Sequence, residues 1–284
     1  MNINKIKYYI KIHNSPRSRI LPAHYNLELI DFVFNISLFK SIGLLPYKLI
    51  NNRKNVLPIK SKIMIEYGGN IFLNFWIIIF NLKNKNNIVL DCHNSALENE
   101  KGHFLRFFFN RLYLIFLNKI LRIKIVIHND FIKPIFFKFF VLKTPYPKFN
   151  FRDTVKKEID ILFLCSLNAD EPLDLILNLC NELKSKGIKS KITGDFKKVE
   201  MNYESEFFFQ PYLSYDEYIN VLRKSKKAVS LTSRTKTLLF APREAIALGL
   251  ECYMNDSDVN KSFYGDKAQY LNLSKPKEIL NNLI

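Results

Sequence analysis

One stretch of the chain, SRTKTLLFAPREAIALG, combines a polar, basic loop with a short Ala-rich helix that carries a single carboxylate, Glu244. The spacing predicts a helix that starts near Ala241 with Pro242 in its first turn, a position that proline favours. Such a helix start presents free backbone N–H groups and the positive end of the helix dipole to the preceding loop. Arg234 and Lys236 would add positive charge, so the pattern indicates a site for a diphosphate.

Glu244 lies one turn inside this helix, and two interpretations of it stay open. Its carboxylate could reach back toward a pair of ribose hydroxyls or toward the loop. It could instead only complement the helix dipole, as acidic residues in a first helical turn often do.

Strand and helix patterns alternate regularly in the second half of the chain, beginning with the apolar strand Ile159 to Leu167. A later helix has Ser214 at its N-cap and Glu217 at the capping-box position. Strands joined by helical crossovers form a parallel sheet with both faces covered, which predicts a doubly wound, Rossmann-like α/β domain.

The first half repeats this alternation less regularly, and residues 1–55 follow it only coarsely. The Pro-containing segment Thr144 to Glu158 has no periodicity and predicts a linker. We therefore expect two Rossmann-like domains, residues 1–148 and 149–284, that face each other across a cleft.

Ligands of open parallel sheets bind beyond the carboxyl ends of the strands, so the loops that follow strands hold the candidate residues. In the second half these loops form a polar set that suits a nucleotide. The set comprises Ser166, Asn168, Asp170, Glu171, Gly194, Asp195, Lys197, Arg234, Lys236 and Thr237. The acidic pair Asp170–Glu171 could bind sugar hydroxyls, or Asp170 could cap the helix that follows.

In the first half, Asp91 and His93 come at the carboxyl end of the strand segment NNIVLDCHN and would face the cleft from the other side. His93 could contact a ligand there, or it could be a loop residue with local hydrogen bonds only. His128, after the next strand, is a further candidate. The sequence has no metal-ligand spacing of His residues and no C-x-x-C pair, so we expect no metal site and reduced thiols in a cytoplasmic protein.

The net charge of +17 is distributed very unevenly along the chain. Residues 1–150 hold 23 Lys and Arg against 7 Asp and Glu, whereas residues 151–284 hold 20 against 19. A basic, aromatic-rich half predicts contact with phosphates or with an anionic membrane surface. Charge alone also suggests a nucleic-acid-binding protein, but no recognition helix, RNP-like strand or zinc pattern accompanies it, so we expect no nucleic-acid partner.

A long helix is predicted from about Phe104 to Ile120 in this basic half. At 100° per residue, Arg111, Asn118, Lys119 and Arg122 share an arc of it. The pattern is typical of a core helix with one solvated polar stripe, and its basic and aromatic residues also suit docking at an anionic membrane face.

The second half contains, in this order, SLNADEP, KITGD, FQPYLSYDEYINVLRKSKKAVSLTSRTKTLLFAPREAIALG and SFYGDKAQYLNL, and the first half contains VLDCHNSALE and IVIHND. With these motifs the chain resembles GT-B glycosyltransferases, especially family 4, whose donor-binding half the second half is similar to. The resemblance implies that Glu244 and the loop from Arg234 to Leu239, with Thr237, Leu238 and Leu239, hold a nucleotide-sugar donor. It also implies that His93 contacts the transferred sugar or the leaving phosphate.

The resemblance implies a retaining, metal-independent sugar transfer to a surface glycan or a lipid-linked acceptor, with no cofactor. The surplus of basic and aromatic residues in the first half predicts peripheral attachment at the inner face of the cell membrane. Two positions depart from family 4. Lys236 stands where the family has a second glutamate, and SLNADEP is acidic where the family has Arg and Lys. These departures support an alternative, a non-catalytic glycosyltransferase-like subunit that binds nucleotide or a partner enzyme.

Overall fold

A computed structural model of the chain describes two compact units, Met1–Pro145 and Tyr146–Ile284. The described residues are 8–11, 28–31, 61–67, 78–79, 81–82, 87–92, 104–128, 131, 136–142, 145–151, 153–194, 208–209 and 213–284. The segment from about Asn70 to Leu82, for which the sequence also predicts a helix, lies largely outside these residues. His93, Asp195 and Lys197 lie outside them as well.

The first unit contains a six-stranded parallel sheet in the order β2-β1-β3-β4-β5-β6. Its strands are β1 (Tyr8–Lys11), β2 (Glu28–Asp31), β3 (Lys62–Tyr67), β4 (Asn87–Cys92), β5 (Lys124–Ile127) and β6 (Phe139–Val141). Two of these strands come from residues 1–55, where the sequence pattern is only coarse. The α/β alternation expected from the sequence is confirmed in this unit.

Helix α1 (Phe104–Lys119) covers one face of this sheet. Ile63 and Ile65 of β3, with alternate residues of β4 and β5, pack against Leu114 and Leu117 of the helix. After their first residue β3, β4 and β5 are buried throughout, as expected for strands of a parallel sheet that is covered on both faces.

The outer face of α1 differs from the expected polar stripe. Lys119 and Arg122 are exposed, but Asn118 is half-buried and binds backbone groups at the end of the helix. Most of the solvent-facing positions are apolar, with Phe109 56% and Ile120 67% exposed. The stripe was predicted wrongly because helical spacing groups residues onto faces without deciding which face meets the sheet. Within the described residues, no helix combines the length and the apolar character needed to cross a membrane.

The second unit contains a five-stranded parallel sheet in the order β11-β10-β9-β7-β8. Its strands are β7 (Ile159–Phe163), β8 (Ser190–Ile192), β9 (Ser225–Ser230), β10 (Glu251–Asn255) and β11 (Gln269–Leu271). A parallel bridge between Ile192 and Phe209 continues the sheet beyond β8. With that bridge counted as a strand, the order is the one described for dinucleotide-binding Rossmann folds.

Helices cover both faces of this second sheet. They are α2 (Leu173–Ser185), α3 (Tyr215–Arg223), α4 (Ala241–Ala247), α5 (Asp258–Tyr264) and α6 (Pro276–Leu283), with a 3₁₀ turn at Gly265–Lys267. Successive residues of β7 enter different cores, because Ile161 and Phe163 pack with α2 and α6 whereas Leu162 packs with α3 and α4. The doubly wound architecture predicted for this half is therefore confirmed.

Helix α3 begins with the predicted capping box. The Ser214 hydroxyl accepts from the Glu217 N–H at 3.4 Å, and the Glu217 carboxylate accepts from the Ser214 N–H at 2.7 Å. Hydrogen bonds from Ser214 lower the pKa of Glu217 below its ordinary value. The carboxylate's contribution to stability is therefore present at neutral pH and is lost as the pH falls through that lowered pKa.

The substitution Ser214→Ala removes one half of this box. We expect it to lower the free energy of unfolding by about 1 kcal/mol at neutral pH, measured by urea denaturation. Ser274→Ala is the matched control, because Ser274 is exposed and only its backbone N–H makes a hydrogen bond with Asn272. Equal losses in the two variants would contradict the importance of the box.

Candidate functional site

The carboxyl ends of β7 and β9 lie side by side in the second sheet, since Phe163 is the register partner of Val229. In a doubly wound sheet the crossovers leave these two central strands toward opposite faces, and the resulting crevice is where ligands bind. Two segments meet there: the β7 loop (residues 164–172) and the β9 loop (residues 231–240). They contain most of the candidate donor residues predicted from the sequence.

Glu171 folds back into the β7 loop. Its carboxylate accepts hydrogen bonds from the backbone N–H groups of Ser166, Leu167 and Asn168, the shortest being 2.6 Å from Leu167, and from the Ser166 hydroxyl at 2.9 Å. Leu167 has a positive φ of 57°, which turns successive N–H groups toward one side, as in backbone anion sites. The N–H groups that could receive a phosphate from this loop are thus bound to the chain's own carboxylate.

The loop after β8 braces the β7 loop from one side. The Thr193 hydroxyl accepts from the Cys165 N–H at 2.9 Å and lies 3.0 Å from the Cys165 carbonyl oxygen. Gly194 has a φ of 120°, and a Cβ on it would lie 2.8 Å from the Leu167 Cγ. Gly194 is therefore required for close packing. Burial, and then the Glu171 carboxylate, raise the pKa of the Cys165 thiol and keep it protonated.

Asp170 braces the same loop from the other side by binding the β9 loop. Its carboxylate accepts from the Thr232 hydroxyl at 2.7 Å and lies 3.4 Å from the Arg234 guanidinium. Its carbonyl oxygen accepts from the Ser233 N–H at 2.8 Å and from the Ser233 hydroxyl at 3.0 Å. The possibility that Asp170 caps the next helix is wrong, because Pro172 is the N-cap of α2 and no side chain caps it.

The β9 loop presents its cationic residues at different depths. Lys236 is exposed, whereas the Arg234 side chain is only 25% exposed beside Asp170. Leu238 is buried in the core with α3 and α4, and the Leu239 carbonyl accepts a hydrogen bond from the Tyr264 hydroxyl. Leu238 therefore anchors the loop, and it has only backbone groups to offer a ligand.

Helix α4 starts at Ala241 with Pro242 in its first turn, as predicted, and it is supported by a residue that the sequence analysis missed. Arg243 is fully buried, with its guanidinium 4.2 Å from the centroids of both the Phe240 and the Phe263 rings. The single local signal was Phe240, three residues earlier, a spacing that puts both side chains on one helix face. Phe263 comes from α5 and could not have been paired with Arg243 from the sequence.

Glu244 is only 2% exposed and lies on the inner side of α4. It lies beside the phenol of Tyr218, which comes from α3. Burial, and then the Glu244 carboxylate, raise the pKa of the Tyr218 phenol well above its ordinary value. Glu244 therefore joins α4 to α3, and this contact is additional to the two roles considered from the sequence.

In the first unit, Asp91 is paired with His128. The Asp91 Oδ1 and His128 Nε2 atoms are 2.5 Å apart, and both side chains are buried. Glu66 is the register partner of Asp91 on β3 and is also buried. Strand alternation puts these three side chains on the sheet face opposite the one that packs against α1. His93, the candidate named together with Asp91 from the sequence, lies outside the described residues.

Among the residues that the structure describes, no three His, Cys, Asp or Glu side chains converge closely enough to hold a metal ion. The four cysteines are free thiols; Cys92, Cys180 and Cys252 are buried and Cys165 is partly buried.

The substitution Glu171→Gln tests whether the carboxylate organises the β7 loop. Loss of the negative charge weakens its charge-assisted hydrogen bonds to the three N–H groups, so we expect a loss of about 1–2 kcal/mol in the free energy of unfolding. Hydrogen exchange at Ser166–Asn168 should become faster. The control is Glu182→Gln, an exposed position on α2, which should change stability by less than about 0.5 kcal/mol. Identical behaviour of the two variants would show that the loop is organised without Glu171.

No protein-family model matches the chain, and no curated protein sequence matches it. Similar proteins were found among solved structures. An alpha-glucosyltransferase in complex with UDP and a DNA that contains an HMU base is 11% identical, with 98% of this chain and 90% of that chain covered and a TM-score of 0.59.

Two further solved structures have the same architecture. TarM of S. aureus, in complex with fondaparinux, alpha-GlcNAc-glycerol and UDP, is 12% identical, with 85% of this chain and 51% of that chain covered and a TM-score of 0.59. An alpha,alpha-trehalose-phosphate synthase (UDP-forming) from Burkholderia vietnamiensis is 11% identical, with 94% and 74% covered and a TM-score of 0.54. This chain spans about half the length of TarM. At these identities the likeness establishes the fold, which is GT-B: α/β with two Rossmann-like domains.

Proposed function

We propose that the chain is a glycosyltransferase of the family 4 type, which transfers a sugar from a nucleoside diphosphate to a surface glycan or a lipid-linked acceptor. The observation that carries the proposal is the joined pair of polar loops at the β7–β9 switch point of a GT-B fold. The alpha-glucosyltransferase and TarM structures hold UDP, and a related E. coli structure holds UDP-2-fluoro glucose. A nucleotide sugar is therefore the donor class that we assign.

The donor's diphosphate is assigned to the β9 loop. Glu171 occupies the N–H groups of the β7 loop, so positive charge for the diphosphate comes from Arg234 and Lys236, with Thr237 and the backbone at Leu238 and Leu239. The exposed Ser166 and Asn168 border the same edge of the sheet and are assigned to the donor together with Asp170, Glu171, Gly194 and Asp195.

Glu244 is assigned to the donor site in two ways. Its contact with ribose hydroxyls is proposed from the resemblance to family 4. Its burial beside Tyr218 supports a second effect, in which the carboxylate holds the start of α4, and with it the cationic loop, in place.

The acceptor side is assigned to Asp91 and His93 in the first unit, with His128 as the partner that orients Asp91 through their 2.5 Å contact. In a retaining transfer the main demand on the protein is stabilisation of the charge that develops on the departing diphosphate. Arg234 and Lys236 supply that charge in this proposal, so the transfer is metal-independent and needs no cofactor.

The proposed setting is polysaccharide biosynthesis in the cytoplasm, with the protein attached to the inner face of the cell membrane through its basic first half. The support is the excess of 23 basic over 7 acidic residues in residues 1–150. A surface that positive is attracted to anionic headgroups, which places the enzyme beside a lipid-linked acceptor.

A second candidate function is a non-catalytic subunit that binds a nucleotide or a partner enzyme. It is favoured by Lys236, which replaces the second family glutamate, and by the closure of the β7 loop around Glu171. Such a subunit would bind nucleoside diphosphates without releasing or transferring sugar. Incubation with UDP-, GDP- and ADP-sugars, followed by detection of free nucleoside diphosphate, separates the two functions.

Removal of a cation from the β9 loop should weaken nucleotide binding. We expect Lys236→Ala to raise the Kd for the preferred nucleoside diphosphate about tenfold, as is typical for the loss of a charged phosphate contact, measured by calorimetry with UDP, GDP and ADP. Lys277→Ala, an exposed lysine on α6, should leave Kd unchanged. Equal Kd values for both variants and the wild type would contradict the assignment of the donor's diphosphate to the β9 loop.

The substitution Glu244→Gln keeps the side chain's size and its contact with Tyr218 but removes its charge. We expect the rate of sugar transfer to fall about 100-fold, the scale of losing one preorganised electrostatic contact, with an unchanged circular dichroism spectrum. Glu278→Gln, exposed on α6, is the matched control. Wild-type transfer by Glu244→Gln would discredit the donor-site assignment.

A further inference from the structure

We propose that the outer face of α1 is a membrane-binding surface that inserts apolar side chains among the headgroups of an anionic bilayer. This inference extends the peripheral attachment proposed above and rests on it. It adds the element that makes the contact and the side chains that enter the lipid.

The α1 outer face consists of exposed positions that fall within about 120° of arc at 100° per residue. Its members, with their exposed fractions, are Phe108 (47%), Phe109 (56%), Leu112 (47%), Phe116 (40%) and Ile120 (67%), and the exposed Lys119 lies within the same arc. Single exposed apolar residues are ordinary on protein surfaces, but a continuous row of four along one helix, extended by Ile120 directly after its end, marks an interaction site.

Exposed apolar side chains are concentrated in the same unit as the positive charge. Of the exposed large hydrophobic residues among the described ones, nine belong to the first unit and only Phe151 and Ile284 belong to the second. Exposed apolar side chains and positive charge therefore occur together on the unit that contains α1. A partner of this unit has to match both of these properties.

Cations border the carboxyl end of this face. Arg122 and Lys124 follow Lys119 and are exposed. The Asn118 side chain holds the backbone of Lys138 near the same end of the helix. Its Oδ1 accepts a hydrogen bond from the Lys138 N–H at 3.0 Å, and its Nδ2 donates to the Lys138 carbonyl at 3.1 Å. Residues 102–128 contain five Lys and Arg and no Asp or Glu, so no nearby acid in this segment neutralises them.

Three kinds of partner differ in how well they match this surface. A nucleic acid would pair with the cations but would leave the Phe, Leu and Ile side chains in water. A second copy of the chain would cover the apolar row but would bring the same positive charges together. An anionic bilayer offers apolar acyl chains to the row and phosphates to the cations beside it, as for other amphipathic interfacial helices. We therefore assign the surface to a membrane.

The test is sedimentation of the full chain with vesicles of phosphatidylcholine alone, or with about 30% phosphatidylglycerol as the anionic lipid. We expect binding to the anionic vesicles, and a fall of about tenfold in the partition coefficient for the double variant Phe109→Ser and Phe116→Ser, since binding scales with buried apolar area. Lys119→Ser with Arg122→Ser should lower the partition coefficient for anionic vesicles about 30-fold, the effect of two cations near the surface, and leave that for neutral vesicles unchanged. Ile284→Ser, equally exposed in the neutral unit, should bind like the wild type.

Two results would overturn the proposal: no binding of the wild type to anionic vesicles, or undiminished binding by the Phe109 and Phe116 variant. Size-exclusion chromatography compares the oligomeric state of the wild type and of this variant. If the wild type is a dimer and the variant is a monomer that still binds vesicles, a second copy of the chain is the occupant. Binding to duplex DNA that depends on Lys119 and Arg122, without vesicle binding, identifies a nucleic acid. The proposed glycosyl transfer is tested separately, by release of nucleoside diphosphate from nucleotide sugars in solution, so either idea can fail while the other stands.

Discussion

Two adjacent carboxylates that point in opposite directions hold together the candidate site of the second unit. Glu171 turns back to bind the N–H groups that follow β7, and Asp170 turns across to bind Thr232 and Arg234 after β9. Both loops leave neighbouring parallel strands and would otherwise expose unpaired backbone groups at the same edge of the sheet. Because the carboxylates satisfy these groups, the two loops form one ordered surface without a ligand.

The cationic loop is fixed by a second group of contacts below that surface. Arg243 is buried between two aromatic rings, and the Tyr264 hydroxyl binds the Leu239 carbonyl. Burial raises the pKa of the Tyr264 phenol while Arg243 opposes the rise, so the group stays a hydrogen-bond donor at neutral pH. Buried charges destabilise a protein unless they are paired or stacked, so these contacts restrict how the loop and α4 can move.

The two units differ in the surfaces they present. The second unit is nearly neutral, and at the switch point its Asp170 and Glu171 carboxylates bind polar groups of its own loops. The first unit is strongly basic, and α1 directs an apolar row outward. The proposals assign donor binding to the second unit and membrane attachment to the first, in line with this asymmetry in charge and exposure.

Local patterns in the sequence determined much of this protein. Strand and helix alternation, the Ser214–Glu217 capping box and the proline at the start of α4 depend on neighbours a few residues apart, so periodicity was enough to predict them. Tertiary structure decided which groups meet over long separations: Asp91 with His128, Asp170 with Thr232, and Arg243 with Phe263. It also decided which face of α1 meets water, because helical spacing defines faces, and only packing against the sheet chooses among them.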